Sequence, residues 1–190
     1  MRRAVFALAF AAAALPAAVA QAAAAGWRPD PAASSLSFEA RQGTSRLTGG
    51  FERFEASIEF DPARPEAAAI EVTVDVTSLR LGDPSRRGEV LSQAGLDAGA
   101  FARATYETVS VTPLGDDRYA IEARLTLRGV TQPVSHDAVI RVSGDEARAE
   151  GLVPVDRNAF GVGQGPFASE EVMAAEVLVR FAIAARRAGE

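Results

Sequence analysis

The chain has 190 residues and a formal net charge of −5, from 25 acidic residues against 20 basic ones, every one of them arginine. That acidic balance argues against nucleic acid and against an anionic membrane surface as partners. The absence of cysteine excludes structural disulfides and an acylated-cysteine anchor, so burial alone must hold the fold together.

Residues 1–20 read as a cleavable signal peptide. Arg2 and Arg3 form its positive start, Val5 to Ala14 its apolar stretch and Ala18-Val19-Ala20 its cleavage site. About twenty apolar residues could also span a bilayer, but the small alanines, Pro16 and the cleavage site favour secretion. The expected product is one soluble domain over residues 27–187, exported to the periplasm. No stable membrane insertion is expected, and association into a homodimer is left open.

From Trp27 onward the dominant signal is period two, which sends alternate side chains to opposite faces of a strand. Residues 35–41 set Leu36, Phe38 and Ala40 on one face. Residues 54–60 do the same with Phe54, Ala56, Ile58 and Phe60, and residues 70–76 with Ile70, Val72, Val74 and Val76. Asp83 to Phe101 breaks the alternation. Helix formers follow an Asp-Pro start there, which predicts one or two short helices. A weaker strand is expected over 104–112, then a clear one carrying Tyr119, Ile121, Ala123, Leu125 and Leu127 on one face. Val134, His136, Ala138, Ile140 and Val142 share the apolar face of the next. A weaker strand over 147–157 precedes the last, which carries Val177, Val179, Phe181 and Ile183. Turn residues at 61–66, 114–117 and 143–146 separate these runs, for about eight strands in all.

A meander of strands with one oily face must cover that face, and local connections favour an all-β antiparallel barrel of eight strands over two packed sheets. Such a barrel is filled by its own side chains or holds one small ligand. Ala40, Ala56, Ala123 and Ala138 are small for inward positions. They leave room for a ligand or relieve crowding where the barrel tapers, and composition does not choose between the two.

The common reaction centres are missing. The single histidine, His136, has Asp137 on the opposite strand face and no GxSxG to serve, so a serine triad fails. One histidine without cysteine cannot hold zinc or copper, and Asp116-Asp117 lacks the spaced ligands of a calcium loop. Gly161 to Gly165 contains GxGxG without a strand-turn-helix unit and reads as a tight turn. His136 itself is a hydrogen-bonded core residue or a polar contact to something in a cavity. No catalytic residue, metal or cofactor is expected, bound lipid apart.

Four segments carry a family resemblance: Trp27 to Phe38, "GGFERFEASIEFDP" (Gly49 to Pro62), "LTLRGVTQPV" (Leu125 to Val134) and "DRNAFGVGQG" (Asp156 to Gly165). In this order, over nearly the whole mature chain, they resemble the YceI-like proteins. The resemblance implies an exported, lipocalin-like eight-stranded barrel that binds a long isoprenoid, quinone or fatty amphiphile, with no catalytic residue. It also implies a kinked strand junction at Gly129-Val130-Thr131 and Pro133. The chain departs from the family at Arg87-Gly88, Gly95-Leu96, Ala102 and Pro166-Phe167, where a barrel mouth and helical lid would lie.

The resulting expectation is a carrier or sequestering protein for an amphiphilic lipid. Leu36, Phe38, Phe54, Ile58, Ile121, Leu125, His136, Ile140 and Phe181 would form the wall, with Arg86 or Arg87 near the head group. The rival is a ligand-free periplasmic stress or interaction module whose barrel is filled by its own side chains.

Overall fold

A computed structural model describes residues 26–189, so the signal peptide lies outside the described residues. Eleven strand segments form one antiparallel sheet that closes on itself: β1 (Gly26–Pro29), β2 (Ser35–Gln42), β3 (Ser45–Phe51), β4 (Phe54–Glu59), β5 (Ala69–Asp75), β6 (Leu79–Leu81), β7 (Arg103–Gly115), β8 (Arg118–Leu127), β9 (Val130–Ser143), β10 (Glu146–Asp156) and β11 (Glu176–Arg187). They make eight barrel lines, because β1/β2, β3/β4 and β5/β6 are each one line with a break. Thus β4 pairs with β1 and β5, while β3 pairs with β2 and β6. Closure falls to β11. One of its edges runs against β10 from Glu176 to Arg186, and the other meets β2 at Val177 to Ala182 and β1 at Ala185 to Arg187. The architecture is the expected all-β, eight-stranded barrel.

The breaks explain why β3 and β6 escape the periodicity argument. β3 ends on Gly49-Gly50-Phe51 before the charged pair Glu52-Arg53, so no alternation is visible there. Beside that break, β5 leaves the sheet in a 3-10 turn over Val76–Ser78. The two interruptions are stitched together: the Arg53 amide donates to Ser78 Oγ (3.0 Å), the Asp75 amide to the Arg53 carbonyl (3.0 Å), and Arg53 Nε to Asp75 Oδ2 (2.9 Å). The Thr77 hydroxyl, then Arg53 and the Thr77 amide, hold the Asp75 carboxyl below its usual range.

Alternation over residues 104–112 is weak for a different reason. β7 carries a bulge between Thr108 and Ser110, which leaves Val109 outside and shifts the inward phase from Ala104 and Tyr106 to Val111. The expected kink at Gly129 and Pro133 is instead a two-residue hairpin between β8 and β9. Arg128 and Gly129 both have positive φ (52° and 73°), as a type I′ turn requires. Pro133 does not bend the chain. It lies inside β9, where Val130 to Asp137 pairs with β8 alone, because pairing to β10 stops at Ala138–Gly151. A residue without an N–H is tolerated on such a one-sided stretch. Val134, Val153, Val155 and Phe160 pack across the gap.

The expected helical region holds one α-helix, α1 (Arg87–Leu91), preceded by a 3-10 turn over Pro84–Arg86. Asp83 caps that turn by accepting from the Ser85 amide (3.0 Å) and hydroxyl (2.6 Å). Among the described residues no helix is long and apolar enough to cross a membrane. The outer faces carry ion pairs such as Arg118–Asp137 (2.9 Å) and Arg46–Glu39 (2.9 Å), both solvent-exposed and individually weak.

Close approach of β3 to β6 depends on Gly49. A Cβ there would meet the Arg80 carbonyl oxygen at 2.6 Å and the Phe38 ring at 2.7 Å. Gly49→Val is expected to destabilise the barrel by about 1–3 kcal/mol in urea unfolding. An unchanged midpoint would show that the two strands do not need this contact distance.

Candidate ligand-binding site

Inward-facing apolar side chains normally vanish from solvent. Here many do not: Leu36, Phe38, Phe54, Ile58, Leu125 and Phe181 point into the barrel yet remain only partly buried. Their residual accessible surface faces a hollow of two lobes, each with a cavity volume of about 190 Å³. Leu36, Val74, Leu125, Val155 and Val179 border both lobes and form a waist between them.

The inner lobe ends on a cluster of Trp27, Phe60, Tyr119 and Ala185. Trp27 is fixed there because its Nε1 donates to the Phe60 carbonyl (2.9 Å) and Arg187 stacks 4.7 Å over its ring. The outer lobe lies under α1 and the loops following α1 and β10, with Val90, Leu96, Val162 and Phe167 among its walls. Those loops are tied to one another. The Gln164 amide donates to the Ala94 carbonyl (2.7 Å), and Arg128 joins both loops by donating to the carbonyls of Gln93 (3.2 Å) and Gly161. Glu89 lines the outer lobe and is also exposed, so the cavity reaches the surface beside α1. Residues of the family departures, Gly95, Leu96 and Phe167, line this same end.

The structure brings together all nine residues expected in the wall. Phe38 lines the outer lobe, Leu36 and Leu125 the waist, and Phe54, Ile58, Ile121, His136, Ile140 and Phe181 the inner lobe. Of the four small residues, Ala40, Ala56 and Ala138 also border the hollow, while Ala123 is buried in the β8–β10 cluster. The two arginines separate. Arg86 lines the outer lobe and donates to Gln42 Oε1. Arg87 is absent from the wall, and its guanidinium instead donates to the carbonyls of Leu79 (2.8 Å) and Thr77. A place beside the ligand is therefore corrected for Arg87: it holds α1 against β6.

Sequence reasoning missed the polar groups that matter most inside. Arg157, 1% exposed, borders the outer lobe. Its Nε donates to the Ala174 carbonyl (3.0 Å), Nη1 to Val162 (2.8 Å) and Gly163 (3.2 Å), and Nη2 to Met173 (2.6 Å). Among the described residues no carboxylate pairs with it. Carbonyl dipoles alone compensate the buried charge, so this one side chain welds the glycine turn to the loop leading into β11. The turn can wrap around it because Gly161 and Gly163 take positive φ (65° and 80°), as expected of the GxGxG stretch. The signal was present in the arginine of the Asp156 to Gly165 motif, but nothing local says that an arginine is buried.

Tyr106 is the second omission, hidden by the β7 bulge. Its hydroxyl lies 2.8 Å from His136 Nε2, and His136 Nδ1 lies 3.2 Å from the Asp137 carbonyl. Burial raises the Tyr106 phenol above its ordinary value. Burial also lowers the His136 pKa below 6.5, against a weaker opposite pull from the Asp137 carbonyl and carboxylate. The imidazole is thus neutral at neutral pH.

A closed eight-stranded antiparallel barrel with one short helix and a divided apolar hollow defines a lipocalin-like binding barrel. The YceI-like domain family matches residues 27–185, and the chain belongs to that family. It is 35% identical over 130 residues to a UPF0312 protein of Pseudomonas fluorescens, covering 63% of this chain and 66% of that one. It spans 54 to 66% of the length of the curated relatives first matched. The crystal structure of Burkholderia cenocepacia BcnA is similar at a TM-score of 0.79 and 29% identity, over 82% of this chain and 98% of that one. A polyisoprenoid binding domain from Saccharophagus degradans, implicated in plant cell wall breakdown, shares the fold at a TM-score of 0.67 and 17% identity, over 87% and 99% of the two chains.

Two outcomes test the interior. Arg157→Met leaves four carbonyls without their donor and is expected to cost about 3 kcal/mol or more in urea unfolding. A loss below 1 kcal/mol, on the order of an ordinary surface change, would refute the weld. Because the folded chain resists protonating His136, below about pH 6.5 the unfolded chain binds the extra proton and stability falls with pH. Thermal unfolding between about pH 7.5 and 5.5 should therefore show a larger drop for the parent than for His136→Leu. Equal slopes would mean that the imidazole titrates normally in the fold.

Proposed function

We propose that this chain is an exported carrier or sequestering protein that holds a long amphiphilic lipid, of polyisoprenoid, quinone or fatty-acid-like type, inside the barrel. The supporting observation is the unfilled, apolar, two-lobed hollow, open beside α1 and shut at the Trp27 end. Holding such a chain needs no ion pair, because each methylene taken from water contributes about 0.8 kcal/mol. A tail would run from the outer lobe through the waist to the inner one, its polar head remaining near Glu89. Arg86, which lines the same lobe, would meet an anionic head there. The residues lining the two lobes would be the binding residues, and binding rather than catalysis is the activity proposed. The polyisoprenoid binding described for the Saccharophagus domain favours the isoprenoid class. Export to the periplasm rests on the N-terminal signal pattern.

Organic extraction of the purified protein followed by mass spectrometry, with uptake of a fluorescent prenyl probe, tests the reading. Lipid in the extract and saturable uptake are expected. Neither signal, with capture of a periplasmic protein by crosslinking, would replace the carrier with an interaction module. Within the carrier reading, Leu125→Trp should block the waist. Affinity for a chain long enough to need both lobes should fall more than tenfold, the loss of about two buried methylenes. Unchanged long-chain affinity in a folded Leu125→Trp protein would place the tail elsewhere.

A further inference from the structure

Apart from Trp27, whose indole N–H donates to the Phe60 carbonyl, the side chains lining the inner lobe are hydrocarbon except for one hydrogen-bonded pair, Tyr106 and His136, projecting from β7 and β9. Its chemistry is set by the backbone. His136 Nδ1 faces the Asp137 carbonyl at 3.2 Å, and a carbonyl only accepts, so Nδ1 carries the proton. In a neutral imidazole the other nitrogen is then bare, and Nε2 accepts the hydroxyl proton of Tyr106 across 2.8 Å. The phenolic hydrogen is therefore committed. What Tyr106 retains is acceptor capacity on Oη, in a residue that lines the lobe and is only partly buried. Phe181 packs edge-on against the imidazole at 5.7 Å and keeps the ring in place.

The pair also has a defined depth. Tyr106 lies opposite Leu125, a waist residue, while His136 lies opposite Ile121, deeper in the inner lobe, so the hydroxyl held between them meets a tail beyond the waist. A ligand end ending in hydrocarbon gains nothing at that point. An ether or ketone oxygen brings a second acceptor against an acceptor. An alcohol brings the missing donor.

We infer that Tyr106 and His136 form a polar subsite inside the cavity that selects chains whose buried end carries a hydrogen-bond donor, an alcohol being the simplest. This rests on the carrier reading above and adds an end-group preference to it. The site offers an acceptor only, which is why the preference runs to donors.

The test uses two symmetric probes, hexadecane-1,16-diol and 1,16-dimethoxyhexadecane, so that either end entering first presents the same group. Affinities are measured for the parent chain and for the doubly substituted Tyr106→Phe, His136→Leu protein. The diol-to-diether affinity ratio should be roughly fivefold higher in the parent, the worth of one net hydrogen bond. Equal ratios in the two proteins overturn the subsite while both compounds still bind, which leaves the carrier reading intact. Binding of neither probe to the parent removes the carrier reading and the subsite with it. Should the double variant not fold, the imidazole nitrogen resonances of the untagged parent decide, since the chain has one histidine. The diol should shift them and the diether should not. Equal shifts from both, or a resting ring protonated at Nε2, would overturn the proposal.

Discussion

Everything in this molecule depends on β11 finding partners on both edges. An alternating strand exposes one oily face, and a row of such strands is soluble only if that face is enclosed. β11 achieves this by joining β10 on one side to β1 and β2 on the other, so the sheet closes on itself. Eight lines of this kind enclose more space than their inward side chains fill. Seven of the side chains that line the hollow are alanines, and the cavity is the remainder.

The enclosed polar groups follow one rule: each is satisfied by backbone or by another enclosed group. Arg157 gives its donors to four carbonyls, and no buried side-chain nitrogen or oxygen among the described residues lacks a partner. His136 follows the same rule through Asp137 and Tyr106. Among the described residues no acidic side chain is buried, so the charges that make the chain acidic stay out of the core. The two ends of the barrel differ in consequence. Trp27 and Phe60 shut one end by packing, whereas loops hung on Arg157 and Arg128 cover the other.

The eight barrel lines and their inward faces were legible because period two is a local property: Leu36, Phe54, Ile121 and Phe181 declare their side of the sheet from their neighbours alone. Where pairing overrides local pattern, the reading failed. β3 and β6 have glycines or too few residues to show alternation, and the Val109 bulge concealed that Tyr106 points inward. Gly129 and Pro133 looked alike as breakers, yet one makes a turn and the other sits inside a half-paired strand.

Arg86 and Arg87 are the sharpest case, since adjacent residues of one type took opposite fates. One meets the cavity and the other grips carbonyls of Leu79 and Thr77. The amino-acid order by itself determined the strand faces, the barrel and the apolar character of its inside, because those follow from alternation and from the need to bury it. Only the closed structure decided how much of that inside stays empty, where the waist falls and which polar groups enter it. Volume and partnership arise between strands distant in the chain, and no local pattern records them.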